Sequence, residues 1–320
     1  MFPSSSWILS EGYAGMQAQA LGLAEAAGLA PELRVLRPRG IWRHLTPVLW
    51  PAPLYAVDPA ALAPPLPDLL IACGSKAGVV LAALAGQAHR CQARRVMVQR
   101  PPVNPARFDL VMVTRHDELT GPNVVVTRTA LHRVTPARLA EAAAIWAPRL
   151  AHLPRPLVVV LVGGNNGRYR LDAPVGARLA GTLAEMMRRD HVGLALTPSR
   201  RTDPAVVRLL GETLRPLGAY VWDMQGENPY FGLLALADAI VATGDSVSMI
   251  SEAVATAAPV LVAALPGRSH RIGLFTRGLF ADGRARPFQG RLETWTAEPM
   301  NDTPEAAAEM CRRLGLRPPG

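Results

Sequence analysis

From Ala239 to Ala253 the chain reads AIVATGDSVSMISEA. The apolar residues 239–242 predict a buried strand, and the residues after Ser246 predict a helix. A strand that ends in small and polar residues and opens into a helix presents unpaired backbone N–H groups, which favour a bound anion. Glu252 lies about two turns into this helix. Its carboxylate would repel a bound phosphate but could accept hydrogen bonds from a ribose. The stretch therefore predicts a nucleotide at the carboxyl end of a parallel sheet.

Short apolar runs and helical patterns alternate on both sides of this stretch. In the second half, strands are predicted at 157–162, 192–197, 220–222 and 259–264, and helices at 175–188, 204–215 and 230–237. In the first half, strands are predicted at 7–10, 33–36, 68–72, 95–98, 110–113 and 124–126, and helices at 16–27, 77–88 and 138–147. A helix at 303–314, with Thr303 as its N-cap, closes the chain. This alternation favours parallel sheets covered by helices.

Three prolines between residues 148 and 156 predict a linker. We therefore expect an α/β fold with two doubly wound Rossmann-like domains that face a cleft. The N-terminal domain would span residues 1–150, and the C-terminal domain would span residues 151–320, including the closing helix. Ligands of such folds bind beyond the carboxyl ends of the strands, where the polar motifs of this chain also lie.

Composition limits the function classes. The 320 residues carry a net charge of +9, almost all of it from arginine, because Lys76 is the single lysine. We interpret most of this charge as solvated surface, and we expect no nucleic-acid partner. The three cysteines are far apart, which argues against a disulfide framework or a zinc site. Without a signal peptide or an apolar run of about 20 residues, a cytoplasmic protein is expected, with peripheral contact at the inner membrane as a further expectation.

Two strand ends in the second half carry anion-binding residue types. The glycines in Gly163-Gly164-Asn165-Asn166 can expose a row of backbone N–H groups to an anion. Ser199-Arg200-Arg201 can clamp a phosphate in bidentate fashion.

A third motif opens the next helix. Asn228 is a candidate N-cap and Tyr230 a candidate stacking face, although helix capping alone accounts for this motif equally well.

The first-half motifs are less specific. Gly12 and Gly15 follow the first strand, where a binding loop and a plain strand–turn–helix connection explain them equally well. Lys76 at a strand end is either a contact for a phosphate or carboxylate, or an exposed charge at the start of a helix. His116 beside Asp117 is a candidate acid/base pair. No G-x-S-x-G elbow and no Asp-x-Asp pair is present, so neither an α/β-hydrolase nor metal dependence is supported.

Taken together, these motifs resemble the mitochondrial-fission family known from plant elongated-mitochondria mutants and its bacterial relatives. The first-half matches are Glu11-Gly12-x-x-Gly15-Met16-x-x-Gln19-x-x-Gly22-Leu23-Ala24, Phe108-Asp109-Leu110-Val111, Arg115-His116-Asp117, Gly121-Pro122-Asn123-Val124 and Leu131-His132-Arg133. The second-half matches are Gly163-Gly164-Asn165-Asn166, Thr197-Pro198-Ser199-Arg200-Arg201-Thr202, Glu227-Asn228-Pro229-Tyr230 and Thr243-x-Asp245-Ser246-Val247-Ser248-Met249-x-Ser251-Glu252-Ala253. The family is similar to two-domain GT-B type glycosyltransferases.

The resemblance implies a role for each motif. The second half would bind a nucleotide-sugar donor as a substrate, with no tightly bound cofactor and no metal. The residues at the diphosphate side would be Gly163, Gly164, Asn165, Asn166, Ser199, Arg200 and Arg201, with Asn228, Tyr230 and Asp245 as further donor-binding residues. Ser246, Ser248 and Met249 would line the sugar and phosphate, and Glu252 would hold the ribose. The first half would bind the acceptor, with Gly12 and Gly15 near the reaction centre. His116, Asp117 or Glu11 would be the base that deprotonates the acceptor.

Three functions remain open on this basis. The leading hypothesis is a glycosyltransferase that transfers a sugar to an envelope or lipid-linked acceptor. The second is a non-catalytic scaffold of GT-B fold that serves membrane-associated partners. The third is a nucleotide-sugar epimerase, which would turn over its substrate without an acceptor.

Overall fold

The computed structural model of the chain describes residues 5–85 and 93–316. These residues form two compact units. The first unit contains Met1–Arg133 and Asp302–Gly320, and the second contains Val134–Asn301.

The elements of the first half follow the predicted alternation, and each lies within a few residues of its predicted position. They are β1 (Ser6–Ser10), α1 (Ala14–Ala26), β2 (Glu32–Val35), β3 (Leu69–Cys73), α2 (Ser75–Leu84), β4 (Arg94–Val98), β5 (Leu110–Thr114) and β6 (Val124–Thr127). The end of the predicted helix at 77–88 lies partly outside the described residues.

The second half continues in the same way. Its elements are α3 (Pro136–Leu150), β7 (Leu157–Val162), α4 (Ala173–Asp190), β8 (Gly193–Pro198), α5 (Pro204–Leu214), β9 (Tyr220–Val221), α6 (Tyr230–Leu236), β10 (Ala239–Thr243), α7 (Val247–Val254), β11 (Val260–Ala263), α8 (His270–Ala281), β12 (Ala285–Pro287) and α9 (Thr303–Leu314). The sequence patterns did not predict α8 and β12. Strand β12 is only three residues long and carries a proline and an arginine, so it has no apolar pattern to recognise.

Each unit contains one six-stranded sheet, and all neighbouring strands pair in parallel. The strand orders are β2-β1-β3-β4-β5-β6 in the first unit and β12-β11-β10-β7-β8-β9 in the second. Helices bury apolar residues against both faces of each sheet. The predicted α/β class, with two doubly wound parallel sheets, is therefore confirmed.

The boundary between the units differs from the predicted one at residue 150. Pro148 lies inside α3, and Trp146 and Leu150 of this helix are buried in the core of the second unit. A proline inside a helix removes one backbone N–H donor, and here it does so two residues before the helix ends. The prolines of residues 148–156 therefore mark a helix end and the turn after it, and not a linker between the units.

Helix α9 also differs from the prediction, because it packs in the first unit and not in the second. Its residues Ala306, Ala307, Met310 and Leu314 are buried beside Ile8 and other residues of the first sheet. Its N-cap is Asp302 and not Thr303. The Thr303 hydroxyl instead accepts a hydrogen bond from the backbone N–H of His132 at 3.1 Å.

Candidate functional site

Strand register brings the predicted donor motifs together in the second unit. Val162 at the end of β7 pairs with Pro198 at the end of β8, and Leu161 pairs with Ala242 in β10. Because these three strands are adjacent and parallel, the residues that follow them meet at one edge of the sheet. Motifs separated by up to 81 residues in sequence are thereby in hydrogen-bond contact.

Asp245 is the centre of this edge. Its side chain is fully buried and accepts three hydrogen bonds: from the Gly164 N–H at 3.0 Å, from the Thr243 hydroxyl at 2.7 Å and from the Arg201 guanidinium at 2.8 Å. A buried carboxylate is stable only when it is paired and hydrogen-bonded, as this one is. Asp245 therefore organises the site from within and leaves contact with a ligand to its neighbours.

Gly163 and Gly164 are required by close packing. A Cβ atom on Gly163 would lie 2.2 Å from a carboxylate oxygen of Asp245, and one on Gly164 would lie 2.1 Å from the Arg201 carbonyl. The Gly163 N–H donates to the Thr243 hydroxyl at 2.7 Å, and the Gly164 N–H donates to Asp245. This differs from the expectation of a row of free N–H groups, since both donors already have partners within the chain.

The two asparagines of this loop fix its shape. Asn165 accepts a hydrogen bond from the Leu171 N–H at 2.8 Å. Asn166 accepts from the N–H groups of Arg168 and Tyr169, and its amide donates to the Asp245 carbonyl at 2.9 Å. Both side chains therefore connect loop backbone to loop backbone, although both residues are exposed on their other side.

The loop after β8 separates the roles of its two arginines. Arg201 reaches inward to Asp245 and also donates to the Gly164 carbonyl at 3.0 Å. Ser199 accepts from the Arg201 N–H at 3.2 Å, which closes the turn. Arg200 is exposed, and its guanidinium has no hydrogen-bond or ion-pair partner among residues 5–85 and 93–316. Of the predicted phosphate clamp, Arg200 is thus the cation that a ligand can reach.

The start of α7 carries three more of the predicted residues. Ser246 is the N-cap, and its hydroxyl accepts a hydrogen bond from the Met249 N–H at 3.4 Å. Ser248 and Met249 are half-buried in the first turn of the helix. The predicted strand–turn–helix geometry is confirmed here, since β10 ends at Thr243 and α7 begins at Val247.

Glu252 is buried on α7 and accepts a short hydrogen bond from the Tyr230 hydroxyl. Burial raises the pKa of Glu252 to about 7, and the hydrogen bond from Tyr230 opposes this rise. Burial together with the negative charge of Glu252 raises the pKa of Tyr230 well above its usual range. The Tyr230 hydroxyl is thus occupied by Glu252, while its ring lies edge-on to Phe231 at 5.8 Å. Asn228 accepts a hydrogen bond from the Tyr230 N–H at 3.0 Å, but the N-cap of α6 is Pro229 and not the predicted Asn228.

In the first unit, Glu11 lies over the start of α2. One carboxylate oxygen accepts a hydrogen bond from the Lys76 N–H at 2.7 Å, and the Lys76 ammonium lies 4.0 Å from the other oxygen. A Cβ atom on Gly74 would lie 2.5 Å from the first oxygen, so a glycine is needed there. Lys76 therefore pairs with a carboxylate of its own chain. Gly12 has a positive φ of 86°, and Gly15 lies in the first turn of α1.

His116 and Asp117 are buried in a turn that follows β5. The Thr114 hydroxyl lies 2.9 Å from the His116 ring and 3.1 Å from the Asp117 carboxylate, so it joins the two predicted residues. The Asp117 carboxylate also accepts from the Thr114 N–H, and Arg100 donates to the Asp117 carbonyl at 2.8 Å. Sequence reasoning did not single out this threonine.

Thr202 and Thr243 were likewise not assigned a role, although both hold the strand ends of the second unit together. Thr202 accepts from the Ser199 N–H at 2.9 Å, and its own hydroxyl donates to the Gly163 carbonyl.

In the residues described, no group of three or more His, Cys, Asp or Glu side chains is placed to hold a metal ion. The same residues include no helix that is long and apolar enough to cross a membrane.

A sequence profile for the family described as mitochondrial fission ELM1 matches residues 14–314. The chain belongs to this family. The Arabidopsis thaliana mitochondrial fission protein ELM1 is 33% identical over 284 residues, which cover 78% of this chain and 65% of the plant protein. An uncharacterized Rickettsia prowazekii protein is 25% identical over 201 residues, covering 60% of this chain and 56% of that protein. The chain thus matches less than two thirds of the length of either of these two proteins.

Solved structures similar to this ELM1 family chain support the fold. A Staphylococcus aureus MnaA structure with UDP matches with a TM-score of 0.55 and 12% identity, covering 98% of both chains. UDP-GlcNAc 2-epimerase from Neisseria meningitidis matches with a TM-score of 0.53 and 11% identity, covering 97% of this chain and 99% of that one. The Streptomyces nogalater glycosyltransferase SnogD matches with a TM-score of 0.50 and 18% identity, covering 98% and 95%. The ELM1 family chain therefore has the GT-B-like fold that the sequence predicted.

Proposed function

We propose that this ELM1 family protein binds a nucleotide-sugar at the carboxyl edge of its second sheet and transfers the sugar to an envelope or lipid-linked acceptor. The observation that carries the proposal is Arg200, an exposed cation without a partner among the described residues, held on a turn that the buried Asp245 network fixes. Two neighbours of the same fold add support, since one was solved with UDP-GlcNAc and the other with UDP.

In this proposal the donor needs no metal. Arg200 and the start of α7 stabilise the negative charge that develops on the leaving diphosphate, which is an electrostatic task. Ser246, Ser248 and Met249 line the sugar and phosphate side, and Glu252 accepts hydrogen bonds from the ribose. The acceptor binds in the first unit near Gly12 and Gly15, and its proton goes to Glu11, His116 or Asp117. Of these three, Glu11 accepts a hydrogen bond from the Lys76 N–H with one oxygen, and its other oxygen lies 4.0 Å from the Lys76 ammonium.

A thermal-shift screen against UDP, GDP, dTDP, ADP, CMP and their sugars tests the binding step. A ligand that binds only the folded state raises the melting temperature by an amount set by its concentration and its dissociation constant. We expect a shift in melting temperature with one nucleotide class. Arg200→Ala should weaken the affinity for that nucleotide by about tenfold, because one charge-assisted contact is lost. Arg188→Ala removes an exposed arginine from α4 and is the matched control. No shift with any nucleotide, or equal loss in both variants, contradicts the proposal.

Three hydrogen bonds favour a non-catalytic binding module as the second candidate. The N–H groups of Gly163 and Gly164 are already bonded within the chain, and Glu252 is already bonded to Tyr230. A site with fewer free donors is expected to bind a diphosphate without strongly stabilising its departure. The family description, mitochondrial fission, also suits a protein that recruits partners.

Following the bound nucleotide-sugar over time separates the candidates. A transferase releases the nucleoside diphosphate only when an acceptor is present. An epimerase, the activity named for the Neisseria meningitidis neighbour, changes the sugar without an acceptor. A binding module returns the nucleotide-sugar unchanged under both conditions.

A further inference from the structure

The connection between β2 and β3 has an unusual surface. We call residues 37–57 of this connection the apolar loop. The structure describes ten large apolar side chains as exposed, and half of them lie in this loop: Ile41, Leu45, Val48, Leu49 and Tyr55. Single exposed apolar residues are normal, but a cluster within one short segment marks an interaction surface.

The apolar loop is anchored to the first unit, so its exposed side chains are not the result of a loosely attached segment. Trp50 is buried, its indole donates to the Leu45 carbonyl at 3.3 Å, and its ring meets that of Trp42 edge-on at 6.5 Å. The ends of the loop pair through an antiparallel bridge between Pro38 and Val57. Two short 3₁₀ turns, Gly40–Arg43 and Pro47–Leu49, lie between these anchors. The indoles therefore face inward and hold the aliphatic side chains outward.

The charge of the apolar loop has one sign. Arg37, Arg39 and Arg43 are exposed, and the segment from residue 33 to residue 57 contains no acidic residue. The guanidinium of Arg43 donates to the Gly40 carbonyl at 3.0 Å, which keeps this charge beside the exposed Ile41. Arginines next to exposed aliphatic residues match a surface that is apolar inside and negatively charged at its border.

We propose that the apolar loop docks this protein on an anionic phospholipid membrane. Ile41 and Leu49 insert among the acyl chains, Tyr55 lies at the headgroup level, and the three arginines contact lipid phosphates. A bilayer receives separate apolar tips without a complementary shape, whereas a protein partner needs a continuous surface that packs closely. The exposed apolar residues of this loop lie on separate short turns and not on one helix or strand face, which favours the bilayer.

Vesicle flotation of the full-length protein tests this proposal independently of nucleotide binding. Phosphatidylcholine vesicles are compared with vesicles that also contain phosphatidylglycerol, at low and high salt. We expect binding to the anionic vesicles that weakens with salt, because screening shortens the reach of the arginines. Ile41→Ser with Leu49→Ser should lower the partition coefficient by about tenfold or more, since two apolar side chains lose their burial.

Two matched pairs control this experiment. Val126→Ser with Ile145→Ser removes two exposed apolar side chains from outside the loop, and should leave the partition coefficient unchanged. Arg39→Glu with Arg43→Glu should lower binding to anionic vesicles by about thirtyfold. The control, Arg178→Glu with Arg188→Glu on α4, makes the same change of charge away from the loop and should have a much smaller effect on binding. Melting temperatures equal to that of the parent protein show that each variant folds.

Three results would overturn the proposal. The first is the absence of vesicle binding by the parent protein, which would assign the apolar loop to a protein partner. The second is equal binding to neutral and anionic vesicles. The third is equal loss of binding in the loop variants and in their matched controls.

Discussion

Asp245 shows how a single residue can set the shape of a site without facing its ligand. Its fully buried carboxylate joins the β7 loop through Gly164, the β10 end through Thr243 and the β8 loop through Arg201. Asp245 lies in a turn that the sequence predicts to bind a nucleotide, so its residue type and position indicated direct contact with that ligand. Burial assigns it the positioning role.

Asp245→Ala should lower the stability of the second unit by about 3 kcal/mol, because it leaves a guanidinium and a buried N–H without their partner. Chemical denaturation measures this change. Glu298→Ala removes an exposed carboxylate from the same unit and should change stability by less than about 0.5 kcal/mol. Similar small losses in both variants would show that the Asp245 network does not hold the three strand ends together.

Glu252 gives the second unit a pH-dependent stability. Its pKa rises from 4.5 to about 7 on burial, so the folded state retains a proton that the unfolded state has already released within this range. The stability contributed by this proton is complete below pH 4.5 and is lost as the pH rises towards 7.

Glu252→Gln should therefore become more stable relative to the parent protein as the pH rises, by about 3 kcal/mol across this range, since one pKa unit is about 1.4 kcal/mol. Glutamine can keep a hydrogen bond to Tyr230 and carries no charge. Urea denaturation at several pH values gives the difference between the two proteins. A difference that stays constant with pH would mean that Glu252 titrates as an exposed carboxyl group does.

At the scale of elements, the packing of α3 on α6 depends on one glycine. A Cβ atom on Gly232 would lie 2.3 Å from the Trp146 ring, which is too close for any side chain. Trp146 in turn meets Tyr220 of β9 edge-on at 6.4 Å, so the contact extends from the helix pair to the sheet edge. The helix that the sequence assigned to the first domain is thereby fixed in the second.

Gly232→Ala should destabilise the second unit by about 1–3 kcal/mol, because the new methyl group overlaps the Trp146 ring. Gly181→Ala is the control of opposite sign, since a Cβ atom there on α4 meets nothing within 4 Å. An alanine in an exposed helix interior should add up to about 1 kcal/mol of stability. Melting curves of the two variants compare them directly, and equal shifts would contradict this account of the helix contact.

At the scale of the molecule, the two units differ in how they use the chain. Both cores of the second unit are built from residues 134–301 alone. The first unit requires the C-terminal residues, because Ala306, Ala307, Met310, Cys311 and Leu314 of α9 belong to the core on one face of its sheet.

A fragment of residues 134–301 should therefore unfold cooperatively by itself, whereas a fragment of residues 1–133 should expose an apolar sheet face and bind hydrophobic dye. Adding a peptide of residues 302–320 should reduce this dye binding, since it restores the missing helix. Circular dichroism and dye fluorescence of the fragments provide the measurement. A fragment 1–133 that folds cooperatively without the peptide would show that α9 is dispensable.

Local sequence patterns were sufficient to predict the parallel α/β class and the positions of most strands and helices. Periodicity and capping are local properties, so runs such as residues 157–162 and 239–242 were sufficient to predict β7 and β10. The sequence also showed that polar motifs follow the strands, because the carboxyl ends of parallel strands are where such residues are tolerated.

Which of those polar residues are bonded within the chain follows from the packing of distant segments. The Gly163 N–H donates to Thr243, whereas the Gly164 N–H and the Arg201 guanidinium both donate to Asp245. Glu252 is bonded to Tyr230, and Arg200 is left exposed. The packing of distant segments also joins α9 to the first sheet, although the sequence places it after the second. The hydrogen bonds of the site join residues that are 22 to 81 positions apart in sequence, and the docking of α9 joins residues that are still further apart. No local pattern contains that information.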